Sequence, residues 1–391
     1  MPIPAPILCI NSGSSSLKFA LYTMGDSQED LLARGAVENL GSGEGHIWLQ
    51  MGAQAVHTPI DMVLDHHAAI ARMFELFAAH RIATPRAVGH RLVTAGPHHI
   101  RHTRIDAPFL RDLHRVVQFA PLHLPTAIDA IEAVSHHYPH LPQVACMDTA
   151  FHARLPEIAA RLALPRYLWD EGVRKYGFHG LSYEYIMSVL PAPTRQGRVI
   201  IAHLGNGASM AAVADGRPLD TTMGLTPAGG FMMGTRSGDL DPGVLLYLLA
   251  EKAYNHRTIE DLVNHRSGLH GVSGGTADMQ RLLEARATNP HAAQAVEMFC
   301  YQARKAAGAL AAAMNGLDAL IFTGGIGEHA APVRQSLADG LAHLGVRLDA
   351  GANIRDADTI SAPGSRVTVR VIPTHEDLMI ARHTHRLLDG P

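Results

Sequence analysis

Four short stretches of this 391-residue sequence set small residues beside an amide or a charge at the end of an apolar run. The first is ILCINSGSSSLKFAL (7–21), where Asn11, four serines, Gly13 and Lys18 separate two strand-like segments. Small side chains let a backbone approach a ligand closely, and a lysine adds positive charge, so a phosphate group is a fitting guest. The spacing is not that of a P-loop, which needs G-x-x-x-x-G-K-[ST] opening a helix. An ordinary serine-rich hairpin has the same composition, and on this stretch alone both readings stay open. The other three are HLGNGAS (203–209), GGIGEH (324–329) and the THED corner (374–377). Each follows a strand-like run, where α/β proteins bind ligands. Glycine leaves backbone N–H groups open to phosphate oxygens, and four such turns together point to a nucleoside triphosphate.

Charged residues on loops extend this chemistry. MMGTRSGDLDPG (232–243) carries Arg236 between Thr235 and Ser237, and Asp241 before Pro242 reads as a helix N-cap. A guanidinium fork suits a phosphoryl group that gains charge in transit. KYGFHG (175–180) places His179 where it could donate to the same group. GHRLV (89–93) sets Arg91 in an apolar strand, where an unpaired charge is costly; a carboxylate ligand or an internal ion pair would satisfy it. Asp148, at the end of QVACM, is a candidate partner for a metal or for Arg236.

The elements that must position these residues follow from periodicity. Strands are expected at 7–11, 17–23, 46–51, 86–93 and 143–147, with helices at 66–80 and 126–138. Residues 198–220 repeat the opening pattern of strand, small polar turn and strand, then turn at Asp215-Gly216 into a third strand. Helices near 242–252, 277–287 and 291–315 follow, the last stopping at Asn315-Gly316. Strands alternating with helices indicate an α/β architecture, and two halves with the same opening suggest a duplicated domain with a cleft between.

Composition narrows the class. Apolar content of 47% with 18% charged residues suits a well-packed globular protein of two domains. A net charge of −3 argues against nucleic acid as a partner. No apolar run reaches the roughly 18 residues of a membrane span, and MPIPAPILCI lacks the features of a signal peptide. Cys9, Cys146 and Cys300 stand far apart, as reduced thiols of a cytoplasmic protein would. The 26 histidines include no H-E-x-x-H, and pairs such as His66-His67 point in different directions, so a histidine metal site is not expected.

Taken in order, INSGSSSLKF, GHRLV, APLHLP, DTAFH, YGFHG, HLGNGAS, MMGTRSGDLDPG, SGLHGVSG, FTGGIGEH and PTHEDLMIAR resemble the motifs of acetate kinases. That family belongs to the superfamily of sugar kinases, Hsp70 and actin. The likeness implies duplicated ribonuclease H-like domains with an interdomain active-site cleft. Residues 1–150 plus 376–391 would form the acyl-substrate side, and 151–375 the nucleotide side, which also dimerises. It implies Mg²⁺-dependent, reversible transfer of the ATP γ-phosphate to acetate, with Mn²⁺ as a substitute metal and a homodimer as the assembly.

By position, the resemblance assigns Asn11 and Glu376 to the metal and Lys18 to the ATP phosphates. Asp148, His179 and Arg236 fall on catalytic positions, Asp148 as the catalytic aspartate and the other two as transition-state stabilisers. Arg91 would bind the carboxylate, and Val93, Leu122, Phe178 and Pro227 would line a small acyl pocket. The ATP segments are His203, Leu204, Gly205, Asn206 and Gly207; Asp278, Met279 and Gln280; and Gly325, Ile326, Gly327, Glu328 and His329. The chain departs from the family pattern at RLVTAG, at Leu124 for the common Asn, at Gln280 for Arg, and at His375 for Asn. Acetate is ionised at neutral pH, so Asp148 is not needed as a base and would orient Arg236 and the metal's water shell. A propionate- or butyrate-preferring kinase is the alternative within the family; an actin-like nucleotide switch and a metal-dependent hydrolase are the alternatives outside it.

Overall fold

The computed structural model describes residues 6–13, 15–25, 28–41, 45–60, 65–121 and 123–390. The chain forms two compact units, Met1–Ala153 with His375–Pro391, and Arg154–Thr374.

The first unit is built on eight strands: β1 (Ile7–Ser12), β2 (Ser16–Met24), β3 (Glu29–Glu38), β4 (Gly45–Met51), β5 (Gln54–Ile60), β6 (Ala87–Leu92), β7 (Thr103–Arg104) and β8 (Gln143–Met147). They lie in the order β5-β4-β3-β2-β1-β6-β8-β7. The run from β5 to β1 is an antiparallel meander, whereas β1, β6 and β8 are parallel. Leu8 and Ile10 face helices His66–Ala79 and Leu124–His137 through Ile70, Met73, Ala130 and Val134. The opposite face is covered by helix Glu376–Asp389. Gly89 makes that contact possible, because a methyl group there would stand 2.4 Å from Ile380 Cγ2.

The second unit holds β9 (Arg198–Leu204), β10 (Ala208–Ala214), β11 (Arg217–Thr221), β12 (Ala319–Thr323) and β13 (Thr368–Val371), ordered β11-β10-β9-β12-β13. The hairpins β9–β10 and β10–β11 are antiparallel, and β9, β12 and β13 are parallel. The first unit repeats this arrangement in β3-β2-β1-β6-β8, with the same sequence of antiparallel and parallel neighbours. Duplication is thus visible as topology. Helix Pro290–Ala313 covers β9, β10 and β11, and the chain leaves it through Asn315 and Gly316, both at positive φ, where the sequence marked a stop.

Several local expectations change. β3 and β5 were not expected; β5 is mostly exposed, and the outer half of β3 offers no alternating apolar pattern. Lys18 lies inside β2, within the strand expected at 17–23, directly across the ladder from Asn11, so the two side chains share a face. GGIGEH folds as the short helix Gly324–His329, and the THED corner becomes the start of helix Glu376–Asp389.

His90, inside β6, is 2% exposed, and its Nε2 lies 2.6 Å from Gln143 Oε1. Gln143 Nε2 already donates to Ser135 Oγ, so the histidine is the donor. Burial pushes the His90 pKa down to about 4, against a smaller upward pull from that hydrogen bond. The unfolded histidine, with a pKa of roughly 6.5, binds a proton that the fold rejects. Stability from this group is therefore complete above pH ~6.5 and falls as the pH drops towards 4, by about 3 kcal/mol in all. Urea denaturation between pH 7 and 4.5 should show a shallower acid loss in His90→Gln than in the parent; equal slopes would refute this.

Candidate active site

The β9–β10 hairpin organises the second unit's site. Its register sets His203 directly opposite Ser209, and Gly205, Asn206 and Gly207 make the turn. Ser209, wholly buried, lies 2.9 Å from His179 Nδ1 and is also hydrogen-bonded to the Tyr183 hydroxyl. The His179 ring stacks on His203 at 4.2 Å between centroids, and His203 Nδ1 meets Ser182 Oγ at 2.9 Å. His179 sits just before helix Gly180–Val189 with φ of +58°, a left-handed conformation uncommon for a residue with a Cβ. Its ring is held by Ser209 and His203, and its backbone is held against preference, as at many functional positions.

Arg236 reaches the same place from the loop 232–241. Its Nη1 donates to the Pro227 carbonyl at 3.2 Å. A methyl group on Gly207 would stand 3.4 Å from both Arg236 Nη1 and His179 Nε2. Two groups able to donate to an anion therefore converge on one glycine, whose missing side chain leaves the space beside them. Asp241 caps helix Pro242–Glu251 by accepting from Gly243 N at 2.8 Å, the structural role expected of it.

Next to the hairpin is a cavity of about 640 Å³. Gly205 and Asn206 line it, with Asp278, Met279, Gln280 and Leu283 on one side and Gly325, Ile326, His329 and Pro332 on another. The fold thus brings together three segments, 203–207, 278–280 and 325–329, that the resemblance assigns to one ligand. Of the assigned residues, His203, Leu204, Gly207, Gly327 and Glu328 do not line it, and several polar side chains there already have partners in the chain. Asp278 caps helix Met279–Ala285, and Glu328 turns back to accept from Gly324 N at 2.8 Å. Gln280 donates to Glu284 Oε1 at 3.0 Å.

The first unit gathers the remaining polar groups. Alternation along β1 and β6 puts Asn11 and Arg91 on the face of Gly89, under the start of helix Glu376–Asp389. Arg91 Nε and Nη2 donate to Asp148 Oδ1 and Oδ2 at 3.1 and 2.8 Å, and its Nη1 lies 3.1 Å from Glu376 Oε2. Of the two open possibilities for Arg91, the structure shows the internal ion pair. Asp148, which the sequence offered to a metal or to Arg236, has Arg91 as its partner within this unit. Burial works against the Arg91 charge, but Asp148 and then Glu376 outweigh it and hold its pKa above the ordinary value.

A sequence model of the acetokinase family matches residues 6–382. The acetate kinase of Rhodopseudomonas palustris is 47% identical over 398 residues, covering 98% of each chain. The chain belongs to the acetokinase family. Among solved structures, the acetate kinase of Porphyromonas gingivalis superposes with a TM-score of 0.87 at 36% identity, over 98% of this chain and all of that one. A propionate kinase from Francisella tularensis gives 0.91 at 34% identity, over 98% of this chain and all of that one.

In this acetokinase, Phe178 and Pro227 are buried near the His179–Arg236 site, and Val93 packs beside Leu92 just past β6. Leu122 lies outside the described residues. Sequence reasoning missed Ser209, Tyr183 and Asp377. Ser209 carried a signal, since a three-residue turn at 205–207 sets it opposite His203. Burial, and then the neighbouring Glu376, push the Asp377 carboxyl up to about 6, while Arg91, Lys18 and Arg34 pull it down. Among the described residues no helix is long and apolar enough to cross a membrane.

Proposed function

We propose that this protein is an acetate kinase, transferring the γ-phosphoryl group of MgATP to acetate, reversibly, by direct in-line displacement. The observation that carries the reading is the convergence of His179 and Arg236 on Gly207, in the hairpin whose Gly205 and Asn206 line the cavity of about 640 Å³. A cavity of that size and largely apolar lining suits a nucleoside. Arg236 and His179 then stand where phosphates would lie.

The chemistry asks little of covalent catalysis. Acetate arrives as an anion, so its oxygen needs no base, and the difficulty is bringing two anions together. His179, fixed by Ser209 and stacked on His203, and Arg236, held through Pro227, would stabilise the phosphoryl group as charge spreads over its oxygens. Arg91 would hold the acetate carboxylate. Asp148 and Glu376 occupy three of its five N–H donors, which leaves two for a ligand. Asp148 acts here as the orienting partner of Arg91. Asn11 and Glu376 fit Mg²⁺, which takes few protein oxygens beside phosphates and water; Glu376, 15% exposed, heads the helix packed on β1. Mg²⁺ would neutralise phosphate charge. Lys18, exposed across from Asn11, would add to it.

The first unit thus takes the carboxylate side and the second the nucleotide side. The second unit also offers a surface for a homodimer: helix Pro242–Glu251 is apolar yet has no buried residue, with Leu246 65% exposed. The parent should sediment as a dimer and Leu246→Glu as a monomer; a monomeric parent would remove this assembly.

The reaction is tested by trapping acyl phosphate with hydroxylamine in MgATP, offering acetate, propionate or butyrate at equal concentration. Strong product with acetate and less with propionate is expected, since one methylene in a small pocket is worth only about 1–3 kcal/mol. More product with propionate than with acetate would favour the alternative. No product with any acid would refute the reading.

A further inference from the structure

Among the described residues, Arg334 is the largest side chain that is wholly buried. A guanidinium has five N–H donors, and here each has an acceptor. Nε donates to Asn353 Oδ1 at 2.7 Å, and Nη1 to the carbonyls of Gly327 and Glu328 at 2.9 and 2.8 Å. Nη2 donates to the Asn353 carbonyl at 2.6 Å and to Asp356 Oδ1 at 2.5 Å. Asn353, also buried, returns to the chain near Arg334 by donating to the Ala331 carbonyl at 3.0 Å.

Two of the five acceptors belong to helix Gly324–His329, whose Gly325, Ile326 and His329 line the cavity. A helix of six residues has no stability of its own in water, so contacts from outside decide where it lies. Glu328 secures its start by accepting from Gly324 N and Thr374 N at 2.8 and 3.3 Å. Arg334 secures its end. His329 Nδ1 lies 3.7 Å from Oδ2 of Asp356, the carboxylate that Arg334 holds. For burial alone an apolar side chain would cost less desolvation. What arginine supplies is a rigid planar fork that sets several acceptors at once, which lysine cannot reproduce.

We infer that Arg334 is a positioning residue for the nucleoside triphosphate: it sets the cavity wall through the Gly327 and Glu328 carbonyls, and Asn353 and Asp356 in turn set Arg334. The inference rests on the nucleotide reading of the cavity. Segment 349–356, outside the cavity lining, thereby becomes a determinant of nucleotide affinity and not of acetate affinity.

The test is calorimetric titration with MgATP together with hydroxamate kinetics on the parent, Arg334→Lys and Asp356→Asn. The KM and Kd for ATP should rise at least tenfold in Arg334→Lys and about threefold in Asp356→Asn. KM for acetate, and kcat at saturating ATP, should stay within twofold. A merely structural role would lower the thermal midpoint and the amount of active protein without splitting the two KM values. Should Arg334→Lys fail to fold, Asp356→Asn decides, because Asp356 is partly exposed and its loss opens no buried cavity. If the parent binds MgATP and the folded variants match it, the inference falls alone. If the parent binds no MgATP, the functional reading falls and takes the inference with it.

Discussion

Replacing Arg236 by alanine is expected to lower kcat by about 10³-fold, within the range that a single arginine contributes to phosphoryl transfer. KM for ATP should change only a few-fold. Arg236 stands beside Gly207 and His179 and is not among the residues lining the cavity, so it would meet the transferring group more than the nucleoside. An interaction that strengthens as charge develops appears in kcat, whereas one made equally in the ground state appears in KM. Arg236→Lys should recover only part of the loss, because an ammonium keeps the charge without the planar fork. Initial rates of hydroxamate formation at saturating ATP and acetate check this. A kcat within threefold of the parent would remove Arg236 from the chemistry.

Arg91→Leu is expected to lower folding stability by about 3 kcal/mol, because it strips a buried carboxylate of its guanidinium partner. Asp148 is fully buried, and both its oxygens accept from Arg91, which is itself 20% exposed at its outer edge. That edge keeps the expected loss at the lower end of the range seen on breaking buried pairs. The double variant Arg91→Leu/Asp148→Leu should recover most of the stability, since both charges then leave together, and it should remain inactive. Urea denaturation at pH 7 measures each step. An Arg91→Leu protein within 1 kcal/mol of the parent, or a double variant no more stable than the single one, would show that the pair is not the buried unit described here.

These two arginines also mark how far the sequence could be read. Arg236 was legible because a charged residue among glycine and serine, with no apolar face nearby, has no ordinary reason to be there. Arg91 was legible as a charge in an apolar strand, but its partner was not. Asp148 lies 57 residues further along the chain, and the two meet because β6 and β8 run parallel with Arg91 level with Cys146. A register between non-consecutive strands leaves no local trace.

The sequence by itself determined what depends on neighbours along the chain. The hairpins β1–β2 and β9–β10, the helix at 66–79, the strand at 143–147, the stop at Asn315-Gly316 and the Asp241 cap follow from periodicity and turn chemistry. Ordered motifs likewise revealed the acetokinase family. Only the tertiary structure decided which polar groups meet: Ser209 under His179, Asp148 and Glu376 on Arg91, and Arg334 beneath the wall of the cavity. The physical reason is range. Periodicity and turn preferences act over a few residues, whereas a buried charge is satisfied by whatever acceptor the packed sheets and helices bring to it.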